Sequence, residues 1–275
     1  MTYQEAVKNG EMVLNLAGIA DAKVDAWLLF EMACKVDRQF YYLHMDEDIT
    51  MEQQKEYEIA LKKRTEHIPL QYIVGEQEFM GLKFKVNSSV LIPRQDTETL
   101  VEEALKKIRP DMKVLDMCTG SGCIIISIIK NVPSAEGYAV DISKQALNVA
   151  KENAKSNEVP VNFERSDLFD NVTGVYDVIV SNPPYIPTAE IPKLMPEVGS
   201  FEPLEALDGK EDGLFFYRKI VAECGSHLRD GGYLLFEIGC EQAEAVTTML
   251  REAGLYEVQV VKDLAGLDRV VIGRK

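Results

Sequence analysis

From Lys113 onward, short apolar runs that read as strands alternate with longer stretches that read as helices, and this alternation most narrows the possible folds. Strands are expected near 113–117, 135–141, 160–165, 176–181, 232–238, 256–262 and 269–273. The fold class that follows is α/β, with a parallel, doubly wound sheet. The last two strands lie close together in sequence and can form an antiparallel pair. In an open sheet of this kind ligands bind outside the carboxyl ends of the strands. Four successive strand ends here carry polar or conformationally unusual residues.

The first strand runs into Cys118-Thr119-Gly120-Ser121-Gly122 and then the apolar helix start Cys123-Ile124-Ile125-Ile126. Small residues let a backbone approach a ligand closely, and a helix N-terminus offers free N–H groups. A dinucleotide fingerprint would need glycine where Ile125 stands, and a P-loop would need Gly-Lys-Ser/Thr, so neither phosphate motif is present. The second strand ends in Asp141, where a carboxylate can accept both hydroxyls of a ribose. The third leads into Asp167-Leu168-Phe169, an acid with apolar neighbours that suits an adenine ring and its amino group. Taken alone, an Asp at a strand end is as readily a turn or helix cap.

The fourth strand, Asp177-Val178-Ile179-Val180-Ser181, delivers Asn182-Pro183-Pro184-Tyr185. Proline lacks an N–H and fixes φ, and Pro184 pushes Pro183 out of the helical region, so the segment stays extended and cannot bond to itself. The Pro183 carbonyl and the Asn182 side-chain oxygen are then two acceptors on one rigid turn, able to grip the two hydrogens of an NH2 group. Tyr185 offers a flat face to a planar substrate. A bare Pro-Pro pair would read as a stiffened turn. The full tetrapeptide behind a strand, downstream of a nucleoside site, reads as an amine grip.

With these residues in place, the chain resembles the bacterial release factor glutamine methyltransferases, the HemK/PrmC family, over nearly its whole length. The likeness rests on Pro69-Leu70-Gln71-Tyr72-Ile73 with Phe79-Met80-Gly81, on Val90-Leu91-Ile92-Pro93-Arg94-Gln95-Asp96-Thr97-Glu98, on the Asn-Pro-Pro-Tyr stretch, and on Glu202-Pro203 with Ala206-Leu207-Asp208-Gly209. The tail Asp263 to Arg269 is similar too. The resemblance implies a class I, Rossmann-like methyltransferase fold with a seven-stranded sheet, a small N-terminal helical bundle and a linking β-hairpin. It implies S-adenosylmethionine as methyl donor, S-adenosylhomocysteine as product, and N5-methylation of the glutamine in the Gly-Gly-Gln motif of class 1 peptide chain release factors. Residues 118–122, Asp141, Asp167, Leu168 and Asn182 would bind the donor, and Asn182, Pro183, Pro184 and Tyr185 the substrate amide. Where the family usually has Gly, this chain has Cys118, which is therefore expected at negative φ, since positive φ is costly for a side chain. Leu168 replaces a tryptophan found in some relatives, so a thinner adenine wall is expected.

Three rivals share parts of this pattern. Enzymes that methylate the exocyclic amine of adenine in DNA face the same resonance problem, but they must grip phosphate and unstack a base. A sister enzyme that modifies a glutamine on a ribosomal protein differs only in its docking surface. A silent donor-binding module would have no use for the amine grip.

Composition agrees with an enzyme acting on protein. The 30 basic against 45 acidic residues leave a net charge of −15, and phosphate binding needs a basic face, so no direct nucleic-acid contact is expected. Five cysteines without Cys-x-x-Cys spacing fit reduced thiols and a cytoplasmic location, and the three scattered histidines give no metal cluster. No apolar stretch reaches membrane-span length, and the chain is expected to be a monomer without membrane contact. Thr2 with Glu5 and Thr50 with Gln53 make capping boxes for helices near 2–16 and 51–66, with further helical patterns near 22–35 and 38–45. Residues 1–72 thus read as a helical substrate-recognition domain in which Trp27 is packing, 73–92 as a hairpin linker, and 93–275 as the methyltransferase domain.

Overall fold

Both capping boxes form. The Thr2 hydroxyl accepts from the Glu5 N–H while the Glu5 carboxylate accepts from the Thr2 N–H, opening α1 (Tyr3–Leu16), and Thr50 with Gln53 opens α4 (Met51–Thr65) in the same way. Between them lie α2 (Ala22–Cys34) and α3 (Arg38–His44), and a further turn of helix, α5 (Leu70–Val74), follows. In the computed structural model, which describes residues 1–275, these helices together with Met195–Phe201 form one unit. Its core is aromatic: Tyr3, Tyr41 and Tyr57 stand edge-on to the buried Phe30 with centroids 5.6, 5.9 and 5.6 Å away, the arrangement favoured by ring quadrupoles. Trp27 packs on Phe30 and Tyr41, the role expected for it. Within this unit the buried Arg64 joins Asp25 at 2.7 Å and Glu197 at 3.0 Å, tying the 195–201 segment to the bundle.

The second unit comprises Gln77–Leu194 and Glu202–Lys275. It begins with the hairpin of β1 (Glu76–Phe79) and β2 (Leu82–Lys85), whose turn residues Met80 and Gly81 both have positive φ, as a two-residue turn matched to strand twist requires. Phe79 and Phe84 drop into the main core. After a 3-10 turn at Gln95–Thr97 and α6 (Glu98–Lys107), strands and helices alternate: β3 (Lys113–Met117), α7 (Cys123–Asn131), β4 (Glu136–Asp141), α8 (Lys144–Ser156), β5 (Val161–Arg165), β6 (Tyr176–Ser181). Beyond the single turn α9 (Pro196–Gly199), which belongs to the first unit, the single turn α10 (Leu204–Leu207) precedes α11 (Phe215–His227), β7 (Leu228–Glu237), α12 (Ala243–Glu252), β8 (Tyr256–Lys262) and β9 (Asp268–Arg274).

The seven strands are ordered β5-β4-β3-β6-β7-β9-β8, parallel except that β9 runs antiparallel to both β7 and β8. β7 starts four residues before the expected 232, because Leu228 already pairs with Tyr176 ahead of a bulge and the pair Val178–Tyr233. Alternate residues feed two apolar layers. Val178, Val180, Leu235 and Val270 face α6 and α7 on one side, while Ile179, Leu234, Phe236 and Val271 face α11 and α12 on the other. No helix is long and apolar enough to cross a membrane.

Candidate active site

The chain steps from β3 to β4 to β5 toward one edge, then returns to place β6 on the other side of β3. That reversal opens a crevice at the carboxyl ends of β3 and β6. A cavity of about 390 Å³ occupies it, within the range that takes a small-molecule ligand. Of the residues singled out from sequence, Cys118, Thr119, Gly120, Ser121, Asp141, Asp167, Leu168, Asn182 and Pro184 line it. Gly122, Pro183 and Tyr185 do not.

The turn after β3 corrects one expectation. Cys118 has φ +62°, in the left-handed region, as do Gly120 at +55° and Gly122 at +80°. The chain must turn here while the Thr119 N–H reaches the Val140 carbonyl at 3.0 Å and the Thr119 hydroxyl reaches Asp116 at 2.6 Å. A left-handed residue at 118 meets both demands. Its local cost of roughly 1–2 kcal/mol is offset by packing, because the Cys118 side chain lies against the apolar layer that holds Met117 and Ile179. Local backbone preference was the wrong guide where tertiary bonds fix both flanks. Burial also raises the Cys118 thiol far above its ordinary pKa, which keeps it protonated and unreactive.

Asp141 is tied into the same turn. Its Oδ2 accepts from Gly120 N–H and its Oδ1 from Ser143 N–H, each at 2.9 Å. Burial raises its pKa, and those two donors act against the shift. Each oxygen keeps a lone pair for a ligand diol. Gly122 serves packing: an added Cβ would lie 3.0 Å from Ile126 Cδ1 and 3.1 Å from Ala150 Cβ, so its bareness lets α7 and α8 approach. Ser121 is held through its carbonyl by the buried Asn153, which donates to it at 2.9 Å and also bonds the Lys85 N–H and carbonyl. Leu168, with φ +47°, forms an apolar wall, and Asp167 beside it is exposed.

On the opposite side, residues 182–185 leave the sheet outside any helix or strand, and no protein donor bonds the Pro183 carbonyl. The elbow is instead gripped from behind. Ile186 N–H donates to Leu207 O at 3.0 Å, Gly209 N–H to Ile186 O at 2.8 Å, and the Gln242 amide to Tyr185 O at 3.0 Å. Gly209 and Gly213 press so closely on Tyr185 that a Cβ would lie 2.7 Å from its carbonyl carbon and 2.3 Å from its oxygen, respectively. Tyr185 is a packing residue here, its phenol raised well above the usual pKa by burial.

The Asn182 amide turns Nδ2 toward the Thr97 hydroxyl at 3.4 Å, leaving Oδ1 without a bond inside the protein. Thr97 is buried and lines the cavity, and Glu237, at the end of β7, is only 2% exposed. Burial pushes the Glu237 carboxyl up to about 7, against the opposing influence of the Thr97 hydroxyl, the Arg269 guanidinium and the Asn182 amide. Neither Thr97 nor Glu237 was singled out from sequence. Glu237 carried a usable signal, since it is an acid at the end of the apolar run Leu234-Leu235-Phe236, the same rule that found Asp141. Lys210, Phe215 and Phe216 also line the cavity and had no such mark.

The family model described as the PrmC N-terminal domain matches residues 5–75, and the Methyltransferase small domain matches residues 94–195. The chain is 42% identical over 258 residues to the release factor glutamine methyltransferase of Geobacter sulfurreducens, covering 94% of this chain and 91% of that protein. It is 39% identical to the protein of that name from Clostridium botulinum, with all of both chains covered. A methyltransferase crystal structure from Pyrococcus furiosus, 18% identical, superposes with a TM-score of 0.54 over 71% of this chain and 89% of that one, which supports the fold.

Proposed function

This chain belongs to the release factor glutamine methyltransferase family, and on that premise we propose that it transfers a methyl group from S-adenosylmethionine to the side-chain nitrogen, N5, of the glutamine in the Gly-Gly-Gln motif of class 1 release factors. The observation that carries the reading is the donor-free elbow beside the cavity, where the Pro183 carbonyl and Asn182 Oδ1 are both left without protein partners. The donor set fits S-adenosylmethionine. Asp141 keeps acceptor capacity that would serve the ribose, Leu168 would supply an apolar wall for adenine, Asp167 would accept from its amino group, and the turn at 118–121 would hold the donor through its backbone. When bound, the donor supplies a methyl group made electrophilic by its sulfonium.

The chain's own residues deal with the nucleophile. An amide nitrogen shares its lone pair with its carbonyl and is a poor nucleophile. Asn182 Oδ1 and the Pro183 carbonyl each accept one N–H of the glutamine amide, which fixes the nitrogen toward the methyl. As the bond forms, positive charge grows on that nitrogen and both bonds strengthen, so the acceptors fit the transition state better than the ground state. Orientation supplies the rest. No side-chain base is needed before transfer: the nitrogen–methyl bond would form as the methyl–sulfur bond breaks, S-adenosylhomocysteine would leave, and the nitrogen, acidic only afterwards, would lose its proton to water. The unit built on α1–α5 would serve substrate recognition, and the enzyme would act as a cytoplasmic monomer.

The test is radiolabelled methyl transfer to a purified class 1 release factor, with a Gln→Ala change in its Gly-Gly-Gln loop as control. Label on the wild-type factor and none on the control is expected. Label on a ribosomal protein or duplex DNA, with the release factor unlabelled, would overturn the assignment.

A further inference from the structure

The carboxamide of an asparagine has nearly the same shape either way round, and a half-turn of its last torsion exchanges oxygen for NH2. If Asn182 sat the wrong way, its NH2 would meet the substrate NH2, donor against donor. Something must therefore set the flip. The parallel register of β6 and β7 places Ser181 opposite Phe236, so the next pair is Asn182, just past the end of β6, and Glu237, the last residue of β7. Both continue the alternation of Val180 and Leu235, which face α6 and α7.

We propose that Glu237 is a positioning residue, whose carboxylate, together with the Thr97 hydroxyl, forces the Asn182 amide to turn Nδ2 inward and Oδ1 toward the substrate nitrogen. This rests on the methyl-transfer reading and deepens it. A carboxylate only accepts, and a hydroxyl that donates to it has lone pairs left for Asn182. Both neighbours thus present acceptors to the asparagine, and only Nδ2 can answer them, as the 3.4 Å approach of Nδ2 to Thr97 Oγ1 reflects. Glu237 lies fully inside the protein, and its Oε2 lacks a hydrogen-bond partner. A group that merely filled space there could be apolar, since a buried carboxylate oxygen left unpaired is a standing cost. The cost is explained if the site needs an obligate acceptor.

The charge state of Glu237 is set by burial together with the groups that face it. Arg269 on β9 favours the carboxylate, Asp96 before α6 opposes it, and Cys123, Tyr185 and Tyr217 are held as neutral thiol and phenols by their own burial. A protonated Glu237 could donate as well as accept, and the bias on Asn182 would be lost. Methyl transfer should therefore climb with pH as Glu237 ionises.

The experiment compares wild type with Glu237→Gln, reading kcat, KM for the release factor, donor Kd by calorimetry and the pH profile. Glutamine keeps the shape but can donate, so kcat should fall on the order of ten-fold or more, with KM and donor Kd within about two-fold of wild type. The wild-type rise in kcat between about pH 6 and 8 should flatten in the variant. A variant kcat close to wild type, or an unchanged pH profile, would overturn the inference. Should Glu237→Gln lose its fold, Thr97→Val decides: reduced kcat with intact donor binding supports the inference, and wild-type kcat overturns it. If wild type itself fails to label the release factor, the functional reading fails instead, so the two failures are separable.

Discussion

Across the ends of β3 and β4, the structure offers a ligand main-chain groups of a turn held in left-handed conformations, with Asp141 locked onto the Gly120 amide of that turn and onto the Ser143 amide that follows β4. Across the ends of β6 and β7, it offers one side chain and one carbonyl whose aim depends on buried polar neighbours and on a glycine clamp. The first arrangement exists as soon as the backbone folds. The second must be kept in orientation by Thr97, Glu237 and the 203–213 loop. A change on the donor side should therefore appear as altered binding, and a change on the acceptor side as altered turnover.

The largest expected effect tests that division directly. Asn182→Ala should lower kcat by about 10²–10³, the usual loss for one transition-state hydrogen-bond partner, while donor Kd stays within about ten-fold. Asp141→Asn should do the reverse, weakening donor binding by about 1.5–3 kcal/mol, as for a lost bond to a charged group, with kcat at saturating donor largely kept. Steady-state kinetics beside calorimetry would show it. If both variants lost turnover and binding in parallel, the two sides would not be separable.

Next in size is the clamp. Gly209→Ala places a methyl 2.7 Å from the Tyr185 backbone, where no flexible side chain can yield. The elbow must shift, and a misplacement approaching 1 Å costs up to about 10² in rate. The overpacking should also cost about 1–3 kcal/mol of stability in urea unfolding. Wild-type kcat in a stable Gly209→Ala protein would mean that the clamp does not aim the elbow.

How much of this was legible follows the same division. β3 and β6 are built on the apolar pair Val114-Leu115 and the apolar run Val178-Ile179-Val180 and lead into marked residues, so their bounds, 113–117 and 176–181, match the reading in full. The turn, Asp141 and the elbow could be marked in sequence because each closes or directly follows a strand. Glu237 reaches Asn182, and Asn153 reaches both Lys85 and Ser121, only through strand register and helix packing. A local pattern cannot encode which distant strand lies alongside. The brief helices at 196–199 and 204–207 had too few residues to show a period.

A smaller, pH-dependent effect probes the buried acid on the donor side. Asp116 is fully buried, has one oxygen without a partner, and is pushed up to about 7 by burial. Its folded pKa lies above its unfolded one, so the native state holds the extra proton across that interval. The associated stability is complete below about pH 4 and is lost as pH rises through about 7. Asp116→Asn should remove a slope of at most about 1.4 kcal/mol per pH unit from the unfolding free energy over that window. Urea titrations at several pH values would measure it. Identical slopes in the two proteins would show that Asp116 stays ionised in the fold.

The smallest effect is the most discriminating for the donor side. Cys118→Gly relieves a left-handed strain of roughly 1–2 kcal/mol but gives up a packed side chain worth about 1 kcal/mol and adds about 0.5–1 kcal/mol of backbone entropy to be lost on folding. These nearly cancel, so the thermal midpoint should move by only a few degrees, and donor Kd and kcat should hold. Cys118→Val, β-branched at φ +62°, carries the strain without the fit and should be clearly less stable. If glycine at 118 instead changed kcat while donor Kd held, the side chain would be acting on the elbow across the ends of the neighbouring strands β3 and β6. The turn and the elbow would then be one device.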